Sequence, residues 1–214
     1  MSNQPLYQNI TISGLPGCGS TTLLKQLKET LSYDGWTGFS GGEFSRLFAI
    51  EKGYFDKNNS AHHSSSNLPD DFERQVDYGI REKLETQNKT IIESWLSGFM
   101  AQGVPGVLKV LMVCSSDEIR IDRIVNRDGI SIAEAKQNTI DRYEKNLAKW
   151  QPLYSQEWQD RVDAQGLAQA GEPLDFWKPE LYDLVIDTYS TPKQDTLNSV
   201  LHKLGLNPIA TVDD

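Results

Sequence analysis

Cysteine is scarce. The chain has two, Cys18 and Cys114, too few for a disulfide framework and not spaced as zinc ligands. Both fall in or beside expected core strands or the first loop, where a thiol behaves as a small apolar side chain. Positive charge is also in deficit, with 21 Lys and Arg against 30 Asp and Glu and a formal net charge of −9. Binding along a nucleic-acid backbone needs a broad excess of Lys and Arg, so that class is excluded. A small phosphorylated ligand held in a local basic pocket is not. No apolar run approaches the roughly 18 residues of a membrane span, and the opening MSNQPLYQ lacks the basic and apolar parts of a signal peptide. A cytoplasmic protein with no membrane partner is expected. Histidine numbers three, and the adjacent His62 and His63 have no third ligand type beside them, which argues against a metal there.

What is present is concentrated between Ile10 and Leu27, ITISGLPGCGSTTLLKQL. An alternating apolar segment runs into a glycine-rich turn, and the turn runs into a helical pattern with Leu23, Leu24 and Leu27 on one side. Gly14, Gly17 and Gly19 let the chain curl so that successive backbone N–H groups point inward, and the following helix aims its positive end at the same hollow. Such a hollow holds phosphate. From Gly14 to Thr21 the spacing is that of a phosphate-binding loop, G-x-x-x-x-G-K-[ST], but Ser20 stands at the lysine position.

The rest reads as alternating helices and strands in one domain, 1–214. A helix over Ser20 to Ser32 is followed by the short strand WTGF, which ends in Ser40, Gly41 and Gly42. Small polar residues just past a strand end fall at the carboxyl edge of a parallel sheet, where such folds bind ligands. Ser40, Gly41 and Arg46 are thus candidates for contact with a second ligand, against the simpler reading that Ser40 and Gly41 turn the chain into a helix over Gly42 to Lys52. Asp56 to Asp70 is polar and reads as a movable cover. A helix over Asp71 to Thr86 carries Phe72, Val76, Ile80 and Leu84 at spacings of four, with Arg74 and Asp77 on another side.

TIIE, ending at Glu93, and Val107 to Val113 are apolar strands suited to cover on both faces. An acid at the end of a strand neighbouring a phosphate loop assists magnesium, which makes Glu93 a candidate. From Asp117 a helix bears Arg120, Arg123 and Arg127, with Asp117, Asp122 and Asp128 as local partners. Ser131 and Glu134 form a capping box that starts a second helix, on which Arg142 lies. The pair, joined at Gly129, has the look of a hinged flap. The insert 154–181 mixes Trp158, Phe176 and Trp177 with Gly and Pro, leaving open whether it packs on the core, covers the site or forms a subunit contact. Leu181 to Asp187 is the last strand, Thr191 to Leu204 a closing helix, and NPIATVDD a loose tail.

Taken together, ITISGLPGCGSTT, SGGEFSR with EKG, ERQVD, IIESWLSG, RIVNRDGIS with AEA, and YDLVIDT resemble the cytidylate kinase-like family, in particular its short archaeal-type members. The resemblance implies an α/β fold, the P-loop NTPase three-layer sandwich with a five-stranded parallel sheet between helices and an arginine-bearing lid over about 117–150. It implies an acceptor-binding helical part over about 40–88, and transfer of the terminal phosphoryl of ATP to CMP or dCMP with Mg2+. By position, Gly14, Gly17, Cys18, Gly19, Ser20, Thr21 and Thr22 would hold ATP. Thr21 and Glu93 would serve the metal. Ser40, Gly41, Arg46, Arg74 and Asp77 would line the acceptor site, and Arg123, Arg127 and Arg142 would be catalytic. Two departures stand out, Ser20 at the lysine position, where the archaeal-type branch commonly has a hydroxyl residue, and Trp95 where the family pattern has arginine; Lys149 also stands where a further lid arginine is expected, which keeps charge but loses the bidentate fork. A binder or sensor that has lost transfer, or a kinase with a non-nucleotide acceptor, are the competing readings. A monomer or homodimer is expected.

Overall fold

The computed structural model describes residues 6–54, 71–169 and 171–209. Five parallel strands form one sheet in the order β2-β3-β1-β4-β5: β1 (Asn9–Gly14), β2 (Thr37–Ser40), β3 (Thr90–Glu93), β4 (Val107–Val113) and β5 (Leu184–Asp187). β1 is buried along its whole length, as a central strand covered on both faces must be. Parallel neighbours require crossovers, and helices supply them.

On one face α1 (Ser20–Leu31) and α8 (Lys193–Lys203) bury Leu23, Leu24, Leu27 and Leu31 with Leu197, Val200 and Leu201 against Ile10 and Ile12. The other face takes α2 (Gly41–Glu51), α3 (Phe72–Thr86) and α4 (Ser97–Met100). There the four residues spaced by four on α3 all turn inward, and they share a core with Phe99 and Met100. α5 (Asp117–Asp128) and α6 (Ile132–Leu153) project as a pair with a small core of their own, Ile121, Ile124 and Ala135. The expected capping box at Ser131 is formed, and a second one, Ser40 with Glu43, starts α2.

The insert 154–181 belongs to the core. It opens with α7 (Ser155–Arg161) and buries Tyr154, Trp158, Val162 and Phe176. Phe176 meets Phe99 edge-on at 4.8 Å, and Trp158 stacks on the same ring at 6.0 Å. At about 1.5–3 kcal/mol for each large apolar side chain buried, the segment is a packed wall. The last strand begins at Leu184, because a 3-10 turn over Pro179–Leu181 precedes it. The described start of the tail is tied down, since Asn198 Oδ1 accepts from the Ile209 N–H at 2.9 Å, and residues 210–214 lie outside the described residues. The polar stretch Asp56 to Asp70, with His62 and His63, lies outside the described residues.

Strand register positions the site. Glu93 pairs with Ile12 on one side and with Ser40 on the other, while Gly14 pairs with Met112. The carboxyl ends of β1, β2 and β3 are thus level, and the glycine loop, Ser40 and Glu93 emerge at one edge.

Candidate active site

A cleft of about 730 Å³ opens at that edge. Its floor is the loop between β1 and α1. Gly17 and Gly19 adopt φ of +84° and +87°, a conformation that L side chains rarely adopt. An added Cβ on Gly14 would fall 2.8 Å from the Met112 carbonyl oxygen, and one on Gly17 would fall 2.6 Å from that of Arg120. Glycine at these two positions is what lets β4 and α5 close on the loop. Gly14, Gly17, Gly19, Ser20, Thr21 and Thr22 all line the cleft. Cys18 is buried behind it, and burial raises its thiol pKa, the behaviour of an inert thiol.

Ser20, at the lysine position, donates its hydroxyl to Glu93 Oε1 at 2.7 Å. Burial pushes the Glu93 carboxyl pKa up, with the Ser20 bond working against it and the Glu43 charge adding to it. Thr21 and Glu93 offer hard oxygen donors to one cleft, a donor set that suits Mg2+.

The arginines differ in their engagements. Arg123 is built into the loop: it donates to the Gly17 carbonyl oxygen at 3.2 Å, Thr188 Oγ1 at 2.7 Å and the Thr188 carbonyl oxygen at 2.9 Å. Thr188 in turn donates to the Cys18 carbonyl oxygen at 3.2 Å. Arg127 lines the cleft while holding Asp128 bidentately, both bonds at 2.7 Å. Arg142 lines it with its guanidinium 4.7 Å from the centroid of the Trp95 ring.

On the side of β2 and α3, Ser40, Gly41 and Asp77 reach the cleft. Ser40 is also the cap of α2, so the two readings of that residue are compatible. Asp77 is half-buried and accepts from the Tyr154 hydroxyl at 2.5 Å. Desolvation raises its pKa to about 7 despite that bond. Arg46 and Arg74 do not line the cleft: Arg46 is exposed on α2, and Arg74 pairs with Glu157 at 2.8 Å beside Tyr78. Lys149 pairs with Glu73 at 2.5 Å.

Asn146, Trp150 and Trp95 line the cleft too, as do Thr188 and Lys193. The first two were legible in principle. Arg142, Asn146, Trp150 and Tyr154 recur every four residues, so one stripe of α6 and its cap runs along the cleft to Asp77. Lys193 lies in a stretch that carries no recognisable motif.

The model of the cytidylate kinase-like family matches residues 9–190. A protein named cytidylate kinase from Methanopyrus kandleri is 30% identical over 213 residues, covering 96% of each chain. Another of that name from Haloarcula marismortui is 28% identical over 195 residues, covering 90% of this chain and 87% of the relative. A gluconokinase from Sinorhizobium meliloti superposes with a TM-score of 0.53 at 13% identity, covering 94% of each chain, a likeness of fold alone.

Proposed function

We infer the reaction from one premise: the chain belongs to the cytidylate kinase-like family and is an ATP-dependent phosphotransferase, a nucleoside monophosphate kinase at the family level. We propose that it transfers the terminal phosphoryl of ATP to CMP, dCMP or a related pyrimidine nucleotide, with Mg2+. The observation that carries this reading is the single cleft that joins the glycine loop to Ser40, Gly41 and Asp77 and is lined by Arg123, Arg127 and Arg142.

Phosphoryl transfer asks for positioning and charge neutralisation more than for a covalent nucleophile. Inward N–H groups of the loop hold the donor phosphates, and Arg123 fixes the loop's shape through Gly17 and Thr188. Arg127 and Arg142 meet the charge that develops on the transferring group. Their planar forks grip phosphate oxygens bidentately and stay protonated. Thr21 and Glu93 would hold magnesium, which when bound neutralises donor phosphate charge. Asp77, backed by Tyr154, offers a carboxyl to a base that bears an amino group.

Trp95, in place of the arginine that the family resemblance leads one to expect, favours a second reading, a small non-nucleotide acceptor. A coupled ADP-release assay with ATP and Mg2+, run over a panel of nucleoside monophosphates and small alcohols, separates the two. Turnover confined to pyrimidine monophosphates supports the proposal. Turnover with an alcohol and with no nucleotide replaces it.

A further inference from the structure

Trp95 lies two residues past Glu93, and its indole is held on several sides. Trp150 and Trp177 meet it edge-on at 5.7 Å and 5.9 Å, and the Trp177 indole N–H donates to the Trp95 carbonyl oxygen at 3.1 Å. Its ring carries the Arg142 guanidinium at 4.7 Å. Both side chains line the cleft. Arg142 also differs from its neighbours. Arg123 is engaged by Gly17 and Thr188 and Arg127 by Asp128, whereas among the described residues Arg142 has no hydrogen-bond or acidic partner.

We propose that Trp95 is a positioning residue that holds Arg142 on the acceptor side of the cleft as an anion-binding group, so that the acceptor is recognised by a phosphomonoester seated against Arg142. The reading rests on the phosphotransferase function inferred above. An aromatic face attracts a guanidinium through its quadrupole and takes up none of its N–H donors. All five donors lie in the guanidinium plane, so an arginine whose plane lies along the ring still presents a bidentate edge. A rigid aromatic wall also lowers the entropy lost when the anion arrives. The i, i+4, i+8 spacing of Arg142, Asn146 and Trp150 sets the guanidinium on the same helical stripe as the indole that boxes Trp95.

The test is calorimetric titration of the full chain, without ATP, with CMP and with cytidine. The proteins are wild type, Trp95→Phe, Trp95→Leu, Arg142→Gln and the Trp95→Leu/Arg142→Gln double variant. CMP is expected to bind more tightly than cytidine to the wild type. Trp95→Leu and Arg142→Gln should each remove about tenfold of that phosphate-dependent advantage, the scale of a desolvated cation–π contact, and the double variant should lose no more than either alone. Trp95→Phe keeps an aromatic face and should stay within about threefold of wild type. In turnover, Trp95→Leu should raise the acceptor KM about tenfold and leave the ATP KM unchanged.

A Trp95→Leu protein that weakens CMP and cytidine alike, also in the Arg142→Gln background, overturns the proposal, because the indole then stacks on the acceptor itself. Unchanged CMP affinity in Trp95→Leu overturns it too. If Trp95→Leu fails to fold, Trp95→Phe and Arg142→Gln decide. If no nucleotide of the panel binds, the function proposed above falls, and this proposal is decided on inorganic phosphate, whose affinity must drop in Arg142→Gln and persist in Trp95→Phe.

Discussion

Gly17 and Gly19 share a backbone conformation but differ in what surrounds them. A Cβ on Gly17 would meet Arg120 backbone oxygen at 2.6 Å, whereas one on Gly19 meets only the Thr188 methyl at 3.6 Å. Gly17→Ala must therefore displace α5 from the loop as well as strain φ, and it should cost about 1–3 kcal/mol or more in a urea melt. Gly19→Val should stay folded and lose ATP binding, since its branched side chain takes phosphate space; unchanged calorimetric ATP affinity would remove the loop assignment. Asp77 gives the residue scale its pH dependence. Its folded pKa is about 7, raised from 3.8 chiefly by desolvation, so the folded state holds the proton more tightly than the unfolded one. Well below pH 4 the group is neutral in both states and costs nothing. As pH rises to 7 the unfolded chain ionises first and stability is lost, by an amount on the order of a few kcal/mol at most for a carboxyl that lines an open cleft. Asp77→Asn should therefore gain stability over wild type across that window and hold the gain above it. A difference between the two proteins that does not change with pH, in chemical melts from pH 4 to 8, would show that Asp77 ionises freely.

Elements with a local code were legible in the sequence, and elements held by distant contacts were not. The glycine loop, the α3 stripe and the Ser131 capping box each depend on residues within one or two turns, and all three stand where pattern puts them. Glu93 could be placed at a strand end but not given its Ser20 bond, which spans 73 positions. Arg74 carries the charge of an acceptor ligand, yet Glu157, 83 positions away, claims it. The insert 154–181 could not be placed from its own residues, because its aromatic side chains pack on Phe99, far off in the sequence, as well as on one another. Trp158→Ala should cost about 3–5 kcal/mol, read as a lowered urea midpoint; a midpoint within error of wild type would mean that the insert adds nothing to the core.

Over the whole molecule the problem is charge. The chain carries a formal −9, the cleft holds Glu93 and Asp77, and the loop position that would bring a lysine brings Ser20, whose hydroxyl is committed to Glu93. The backbone cradle survives this loss, but the open site lacks one point charge on the donor's terminal oxygens. Arg123 is already bonded to the loop, and on the proposed function it acts before the α5–α6 pair closes over the cleft. Arg127 and Arg142 lie on two helices joined at Gly129, which ends α5 in the left-handed conformation at φ +67°, and Arg127 must exchange Asp128 for phosphate. Charges brought over the phosphates in a water-poor site interact far more strongly than in solvent. ATP binding is thus expected to be weak without acceptor and to tighten when the acceptor completes the site, with ADP release accelerating at the same time. Arg123→Ala should weaken ATP binding even without acceptor, because the loop loses its brace. Arg127→Ala should leave that affinity nearly intact, abolish the tightening by acceptor and lower kcat by about 100-fold or more, as for a group that acts on transferring charge. Ser20→Lys should strengthen ATP binding in the open state and reduce the further gain from acceptor. The measurements are ATP affinity and ADP release with and without acceptor on these proteins. An acceptor that leaves ATP affinity unchanged, together with an Arg127→Ala enzyme as fast as wild type, would mean that the donor site is complete before closure and that the missing lysine is compensated within the loop.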